Sequence, residues 1–239
     1  MIKLSDRLSI IANEIERGET VADIGTDHGF LPIYLWENNI SPKVIMADIS
    51  KGSLEKARTN CLEAHPDMVF DLRLGDGIKV LENGEVDAVS IAGMGGILMT
   101  EILGADLEKT KSFKKFILQP RNNVGYLRYW LLANGFEIKN EQLVREGKYI
   151  CEILTVVPCT CEAGDFCDKG EDNICYQFPD SLVEFMNPLT IEYLERHLKK
   201  ENFILDSMKS GNKTTLDEIK HQEDRIEYIE RLVKTCESR

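Results

Sequence analysis

One segment near the amino terminus combines glycines, acids and a histidine in a pattern suited to ligand binding. It follows an apolar run and reads Asp23-Ile-Gly25-Thr26-Asp27-His28-Gly29. Glycine has no Cβ, so Gly25 and Gly29 let a ligand approach the backbone closely. Because the spacing is G-x-x-x-G, the segment lacks the G-x-G-x-x-G fingerprint that cradles the pyrophosphate of a dinucleotide. The segment therefore predicts a ligand site of another kind.

Acidic residues recur after the next two apolar runs. Asp48 is followed by Ile49 and Ser50, and the later run leads into Gly75-Asp76-Gly77. An acid at position 48 can accept hydrogen bonds from ribose hydroxyls, and Asp76 can accept one from an adenine amino group. Each acid alone also fits a helix cap or a turn. Together, and in this order, they predict a nucleoside cofactor without phosphates, namely S-adenosylmethionine.

A second glycine-rich loop reads Ala92-Gly93-Met94-Gly95-Gly96. Its three glycines add conformational entropy to the unfolded chain, so packing alone accounts for them poorly. We expect the cofactor and the substrate to meet at this loop, and a tight turn into the next helix is the structural alternative. The Asn/Asp-Pro-Pro-aromatic signature of many amino-methyltransferases is absent here. The candidate cofactor-binding residues are Asp23, Gly25, Thr26, Gly29, Asp48, Ile49, Ser50, Gly75, Asp76, Gly77, Ala92, Gly93, Met94 and Gly95.

The segment 118–122 adds polar side chains after a further apolar run. Gln119 and Asn122 can each donate and accept hydrogen bonds, as an adenine edge requires. Arg121 lies between them and can hold a phosphate. The candidate catalytic residues are Asp27, His28, Gln119 and Asn122.

All of these segments follow predicted strands. Short apolar runs alternate with helical patterns as far as Leu118, which predicts βαβ units and a parallel sheet. Ligands bind such sheets at the carboxyl ends of the strands, where the segments would meet. Runs 136–144 and 149–157 have no helix between them and predict an antiparallel hairpin at the sheet edge. The predicted fold class is α/β, a Rossmann-like class I methyltransferase sheet with a C-terminal antiparallel β-hairpin.

Three regions are expected along the chain: a Rossmann-like domain at 1–157, a linker at 158–187 and a helical domain at 188–239. In the last region, apolar residues recur at near-heptad spacing over two stretches, which predicts a small coiled-coil-like helical hairpin. The linker contains a cysteine cluster, Cys159, Cys161, Cys167 and Cys175. Its spacing does not fit the paired C-x₂-C pattern of structural zinc, so we expect no metal.

The composition restricts how the chain can bind membranes, proteins or nucleic acids. It has 239 residues, 43% of them hydrophobic, and a net charge of −12. Without a long apolar stretch or a signal peptide, we expect a soluble cytoplasmic protein with no membrane contact and no obligatory protein partner. The acidic balance argues against nucleic-acid binding by bulk charge and leaves local basic clusters. Two clusters, Lys109–Lys115 and Arg121 with Arg128, are expected to flank the active-site end of the sheet.

The motifs together resemble the bacterial tRNA (adenine-22, N1)-methyltransferases of the TrmK type. The resemblance covers residues 1–157 and, by architecture, the helical tail. It rests on Leu4-Ser-Asp-Arg-Leu8, Ala22-Asp-Ile-Gly-Thr-Asp-His28, Leu31-Pro32, Ala47-Asp48, Gly75-Asp-Gly77, Ala92-Gly-Met-Gly-Gly96, Leu118-Gln-Pro120, Leu127-Arg128, Trp130-Leu131 and Glu152-Ile-Leu154. It implies methyl transfer from S-adenosylmethionine to N1 of an adenine in the D-arm region of tRNA. There are two departures: Arg121 stands where Asn is expected, and the cysteine-containing insert is unusual.

Under that resemblance, Asp27 would accept a hydrogen bond from the adenine N6 amino group and stabilise the charge that methylation creates. His28 would orient Asp27 or contact the substrate, and it fits equally well as a neutral residue holding the loop. The candidate substrate-binding residues are Gly96, Arg121, Arg128, Lys114 and Lys115. Two alternatives stay open: a small-molecule S-adenosylmethionine-dependent methyltransferase, and a non-catalytic RNA- or cofactor-binding module.

Overall fold

The computed structural model describes residues 2–159, 168–185, 187–211 and 214–238. Strands and helices alternate as far as residue 133, two consecutive strands follow, and the remainder is helical. The strands are β1 (Val21–Ile24), β2 (Val44–Asp48), β3 (Asp71–Leu74), β4 (Ala88–Met94), β5 (Lys115–Pro120), β6 (Phe136–Glu146) and β7 (Tyr149–Pro158). The helices are α1 (Asp6–Asn13), α2 (Phe30–Glu37), α3 (Lys51–Ala64), α4 (Gly96–Gly104), α5 (Leu107–Lys111), α6 (Val124–Ala133), α7 (Ile174–Gln177), α8 (Ser181–Glu184), α9 (Thr190–Ser210) and α10 (Leu216–Glu237), with a 3₁₀ turn at Gly77–Val80.

Within the described residues the strands form a seven-stranded sheet in the order β3-β2-β1-β4-β5-β7-β6. Strands β1 to β5 are parallel, whereas β7 pairs antiparallel with both β5 and β6. The predicted Rossmann-like sheet with an antiparallel hairpin is confirmed. The strand order reverses between β1 and β4, and open α/β sheets bind ligands at such a point, outside the carboxyl ends of the strands.

Helices cover both faces of the sheet, which is why its central strands are continuous apolar runs. Alternate residues of β2 enter different cores: Ile45 and Ala47 pack with residues of α4 and α6, while Val44 and Met46 pack with residues of α1, α2 and α3. A strand that is buried on both faces needs apolar residues at every position. Burial throughout β5 has the same cause.

The helical end of the chain is a pair of long helices, as predicted. Helix α10 begins with a capping box in which Thr215 and Glu218 satisfy each other's backbone N–H groups. Gln222 of α10 donates a hydrogen bond to Glu201 of α9, and the apolar sides of both helices share a core with Leu143 of β6. No helix in the described ranges is long and apolar enough to cross a membrane.

Candidate active site

The loops after β1 and β4 touch each other, and glycine is required for that contact. Gly25 has a φ of +81°, and a Cβ placed there would lie 2.1 Å from Cε of Met94. A Cβ on Gly96 would lie 2.5 Å from the backbone oxygen of Asn123, so the loop after β5 is equally close. The loops after β1, β4 and β5 therefore meet at the carboxyl edge of the sheet, as the spacing of the motifs predicts.

Asp23 provides a partly buried acid near the end of β1. Burial is the main cause that raises the pKa of its carboxyl, and the nearby Thr26 and Ser90 hydroxyls and the charge of Arg7 oppose that rise. Thr26 is 3% exposed and Ser90 is 0% exposed, and neither hydroxyl completes a hydrogen bond among the described residues. Buried polar atoms normally have partners, so this pocket has unused capacity for a polar or positively charged ligand group.

The end of β2 offers a carboxylate beside apolar surface. Oδ1 of Asp48 accepts a hydrogen bond from the backbone N–H of Ser50 at 2.6 Å, which holds the carboxylate in place. The Ser50 hydroxyl caps α3 by accepting from Ser53, so its side chain has a structural partner. Ile49 and Leu74 are exposed at the ends of β2 and β3, which leaves apolar surface for the flat face of a base.

The predicted acid after β3 is engaged by a neighbouring lysine. Oδ2 of Asp76 accepts from Nζ of Lys79 at 2.5 Å, and both side chains are more than half exposed. A pair so exposed is weak in water and its carboxylate can exchange partners. Asp76 therefore remains available to a ligand at this edge.

Asp27 and His28 lie together in the loop after β1, on the side of α3. Asp27 accepts from Nζ of Lys56 at 2.9 Å, and Nε2 of His28 lies 3.1 Å from its other oxygen. The Lys56 hydrogen bond is the largest cause that lowers the pKa of Asp27, with the charge of His28 contributing. The His28 ring stacks on Phe30, with centroids 5.2 Å apart. Asp27 is therefore an exposed, ionised carboxylate.

Gln119 is buried, and both the oxygen and the nitrogen of its side-chain amide form hydrogen bonds within the protein. Its Oε1 accepts from Nη1 of Arg7 at 3.0 Å and from the backbone N–H of Gly93 at 3.1 Å, and its Nε2 donates to the Pro120 carbonyl. Asn122 is exposed, and its Oδ1 would lie 3.0 Å from a Cβ on Gly95. Gln119 thus holds the glycine loop, whereas Asn122 presents its amide beside it.

The candidate catalytic residues consequently fall into two groups. Asp27 and His28 form one group near α3, Gln119 and Asn122 form the other beside Gly93 to Gly96, and no hydrogen bond joins the groups within the described residues. Sequence reasoning missed three residues with roles here: Arg7, Lys56 and Ser90. Only Arg7 had a signal, because it lies in the segment 4–8 that carries part of the family resemblance.

Lys114 and Lys115 do not flank the active-site end, and that prediction is wrong. Lys115 is the first residue of β5 and pairs with Ala88, so it lies at the amino edge of the parallel sheet. Lys114 binds Asp87 at 2.6 Å, and the nearly buried Lys115 binds Glu19 at 2.7 Å. The carboxyl end of β5, where Gln119 lies, is at the opposite edge.

Arg128 is also misassigned as a substrate contact. It is 1% exposed in α6, where Nε donates to Glu141 at 2.8 Å and another nitrogen donates to Glu152. The same Glu152 accepts from the Tyr193 hydroxyl of α9 at 2.5 Å. Arg128 therefore joins α6 to the hairpin strands and, through Glu152, to the helical pair, and it offers no face to a phosphate.

Two members of the cysteine cluster lie among the described residues. Cys159 and Cys175 are partly buried, while Cys161 and Cys167 lie outside the described residues. The expectation of no metal at the cluster stays a prediction.

The chain is similar to known methyltransferases in both sequence and fold. Residues 4–154 match the family described as methyltransferase domain. A Bacillus subtilis (strain 168) protein named tRNA (adenine(22)-N(1))-methyltransferase is 29% identical over 97% of this chain and 98% of its own length. The crystal structure of the B. subtilis m1A22 tRNA methyltransferase TrmK matches with a TM-score of 0.84 at 27% identity, over 98% of this chain and 100% of that one.

A second solved structure includes a ligand. It is a Streptococcus pneumoniae putative tRNA (m1A22) methyltransferase in complex with S-adenosyl-L-methionine, and it matches with a TM-score of 0.81 at 27% identity, over 98% of this chain and 100% of that one. Because the family match spans most of the chain and these relatives align almost end to end, the chain belongs to the methyltransferase-domain family and groups with its TrmK-type members.

Proposed function

We propose that this chain is an S-adenosylmethionine-dependent methyltransferase that methylates N1 of adenine 22 in tRNA. The observation that carries the proposal is the position of the loop Gly93–Gly96. On one side it touches Gly25 of the cofactor half-site, and on the other it contacts Gln119 and Asn122. A methyl donor and an acceptor base can therefore meet across one short loop.

The residues at the ends of β1 to β4 fit the cofactor. The unpartnered Thr26 and Ser90 hydroxyls and the Asp23 carboxyl suit the polar, charged end of an amino-acid group. Asp48 suits a ribose, and the exposed Ile49 and its neighbours suit a base. When bound, S-adenosylmethionine supplies an activated methyl group on a sulfonium. The residues assigned to it are Asp23, Gly25, Thr26, Gly29, Asp48, Ile49, Ser50, Gly75, Asp76, Gly77 and Ala92 to Gly95.

Methylation of adenine N1 requires little from the enzyme beyond the orientation of the base and the methyl donor. Neutral adenine N1 has a lone pair and needs no deprotonation, so positioning supplies most of the catalysis. Methylation leaves the base cationic, and the ionised Asp27 is assigned to accept from the N6 amino group and stabilise that charge. His28 orients Asp27, Asn122 presents its amide to the base edge, and Gln119 positions the loop through Gly93.

The tRNA contacts assigned to this site are Gly96 and Arg121. Arg121 is exposed in the loop after β5, beside Gly93. With a net charge of −12 the chain must use placed cations, and we expect weak, salt-sensitive binding that depends on tRNA shape. A tRNA substrate also supports a cytoplasmic location for the enzyme.

The test is methyl transfer to defined RNA. Purified protein is incubated with labelled S-adenosylmethionine and unmodified tRNA transcripts, and the modified nucleotide is mapped. The matched control is the same transcript with guanine at position 22. We expect label at adenine 22 and none in the control. No incorporation at any adenine overturns the proposal, and label that enters only small molecules indicates a small-molecule methyltransferase.

A further inference from the structure

A cleft of about 760 Å³ lies between the carboxyl edge of the sheet and the helical pair. Its sheet wall includes Arg7, residues 119–124 and Tyr149, and its helical wall includes His197, Lys200 and Arg225. Pockets that enclose small organic ligands have volumes of roughly 300–1,000 Å³, so a nucleotide fits. Gly93 and Asn122 border the cleft, which therefore opens onto the proposed site of methyl transfer.

The lining of the cleft is less acidic than the chain as a whole. Its described lining contains four cationic residues, Arg7, Arg121, Lys200 and Arg225, and three carboxylates, Glu146, Glu152 and Glu201. Each carboxylate is paired with an arginine. In a chain of net charge −12, a cleft without free carboxylates is a place where an anion meets little repulsion.

Two of these four cationic residues have no carboxylate paired with them among the described residues. Arg121 and Lys200 are exposed and form no ion pair with any described residue, and they lie on opposite walls. Lys200 lines the cleft three residues after His197 on α9, while Arg121 lines it from the loop after β5. Two cations that lack an ion-pair partner among the described residues and line one cleft are suited to a phosphate.

An exposed aromatic ring completes the cleft. Tyr149 is the first residue of β7 and is 64% exposed, so it contributes little to the protein core. Nζ of Lys148 lies 5.2 Å from the centroid of its ring. Aromatic side chains exposed beside cations are what proteins use to stack unpaired bases of RNA.

We propose that this cleft binds the nucleotide next to the methylated adenosine, with its base stacked on Tyr149 and its phosphate between Arg121 and Lys200. The inference rests on the proposed tRNA substrate and adds a second binding position in that RNA. Because a paired base cannot stack on a side chain in this way, the cleft selects RNA in which this nucleotide is unpaired. The helical pair then contributes to tRNA binding but not to cofactor binding.

The experiment uses the full chain and two pairs of variants. Tyr149→Ala is matched with Phe203→Ala, which removes an aromatic ring that is 73% exposed on α9 but outside the cleft. Lys200→Ala is matched with Lys199→Ala, the adjacent lysine that does not line the cleft. The measurements are kcat and KM with unmodified tRNA, the salt dependence of tRNA binding, and the Kd for S-adenosylmethionine.

We expect Tyr149→Ala to raise the KM for tRNA about tenfold, since one stacked base contributes roughly that much to binding. Lys200→Ala should reduce the slope of log K against log salt by about 0.7 to 0.9, the value for one phosphate contact. The KM for tRNA of both control variants and the Kd for S-adenosylmethionine of every variant should stay within about twofold of wild type.

If the wild type methylates tRNA but the cleft variants behave like their controls, the inference is wrong and the proposed function stands. If the wild type transfers no methyl group to tRNA, both are wrong. Equal losses of tRNA and cofactor affinity in the cleft variants also contradict the inference, because they indicate general damage to the fold.

Discussion

The Arg7 guanidinium and the backbone N–H of Gly93 donate to the same oxygen of Gln119, at 3.0 Å and 3.1 Å. Nε of Arg7 also binds Glu146, at the end of β6, at 2.9 Å. A residue of the first helix thus connects the hairpin to the loop where methyl transfer is proposed. Arg7 therefore helps, together with the Pro120 carbonyl, to orient the amide through which Gln119 holds Gly93.

Arg7→Ala is therefore expected to lower kcat for tRNA methylation. A hydrogen bond from a charged group contributes about 1.5–3 kcal/mol, which corresponds to a roughly 10- to 100-fold loss if it acts on the loop in the transition state. The control is Arg17→Ala, which removes an exposed arginine that donates to the Asn39 carbonyl. Steady-state kinetics and urea denaturation are measured together, and an unchanged kcat with a lowered free energy of unfolding would assign Arg7 a purely structural role.

Asp27→Asn tests the carboxylate assigned to charge stabilisation. We expect a lower kcat with the Kd for S-adenosylmethionine changed only a few-fold, because the amide cannot stabilise a cationic base as the carboxylate does. Lys56→Met is the matched variant, since it removes the ion-pair partner of Asp27 and keeps the acid. Full activity of the Asp27→Asn enzyme would remove Asp27 from the mechanism.

Gly25→Ala should weaken S-adenosylmethionine binding by about tenfold or more. The new Cβ would meet Cε of Met94 at 2.1 Å and push the loops after β1 and β4 apart. Gly18→Ala is the control, because Gly18 also has a positive φ, +98°, but no atom lies within 4 Å of its Cβ position. Calorimetric titration with the cofactor measures both, and equal losses would show that backbone strain, not loop contact, is responsible.

Arg128→Met is expected to lower the free energy of unfolding by about 3–5 kcal/mol, because it leaves Glu141 and Glu152 buried without their counter-ion. Arg58→Met on the exposed side of α3 is the control and should change stability by no more than about 0.5 kcal/mol. Urea denaturation provides the comparison. A small effect at Arg128 would mean that the two acids take up protons or water when it is removed.

The free energy of unfolding should fall as the pH drops from about 6.5 to about 4, because His197 has a lowered pKa in the folded chain. Burial against Phe178 and Tyr193, with the charge of Lys200, lowers its pKa from 6.5 to about 4, and Glu201 opposes this. Between those values the unfolded chain binds a proton that the folded chain does not, so folding loses stability as pH falls from about 6.5 to about 4.

His197→Phe should remove this component, which is at most about 3 kcal/mol at 1.36 kcal/mol for each pKa unit. His221→Phe, which replaces an exposed histidine on α10, is the matched variant for comparison. Thermal or urea unfolding from pH 7 to pH 4 measures the effect. Parallel pH curves for wild type and His197→Phe would contradict the assignment.

Much of the fold could be predicted because it depends on local and periodic signals. The central strands are buried on both faces, so their runs of apolar residues stand out, as in Val44-Ile-Met-Ala before Asp48. Ser50 lies just after β2 and caps α3, which is also a local signal. The glycine loops could be located because a residue without a Cβ at the end of a strand commonly marks a close approach to the backbone.

The errors concern partners that are distant in the chain. Arg128 looked available because its two acids lie 13 and 24 residues further on, in strands of the hairpin. Lys115 is only four residues from Gln119 in the sequence, so it was expected at the active-site end of the sheet. The two residues lie at opposite ends of β5, however, and therefore at opposite edges of the sheet. The cleft could not be predicted at all, because its walls come from residues as far apart as Arg7 and Arg225.

The placement of β7 between β5 and β6 has a consequence for how the enzyme is made. Strand β6 is synthesised before β7, yet among the described strands it pairs with β7 alone, and β5 gains its second neighbour there when β7 is present. On the ribosome, β5 therefore keeps an open edge until the residues up to Pro158 have left the exit tunnel. Open strand edges favour wrong pairing, so synthesis that pauses within the hairpin should increase aggregation of the nascent chain.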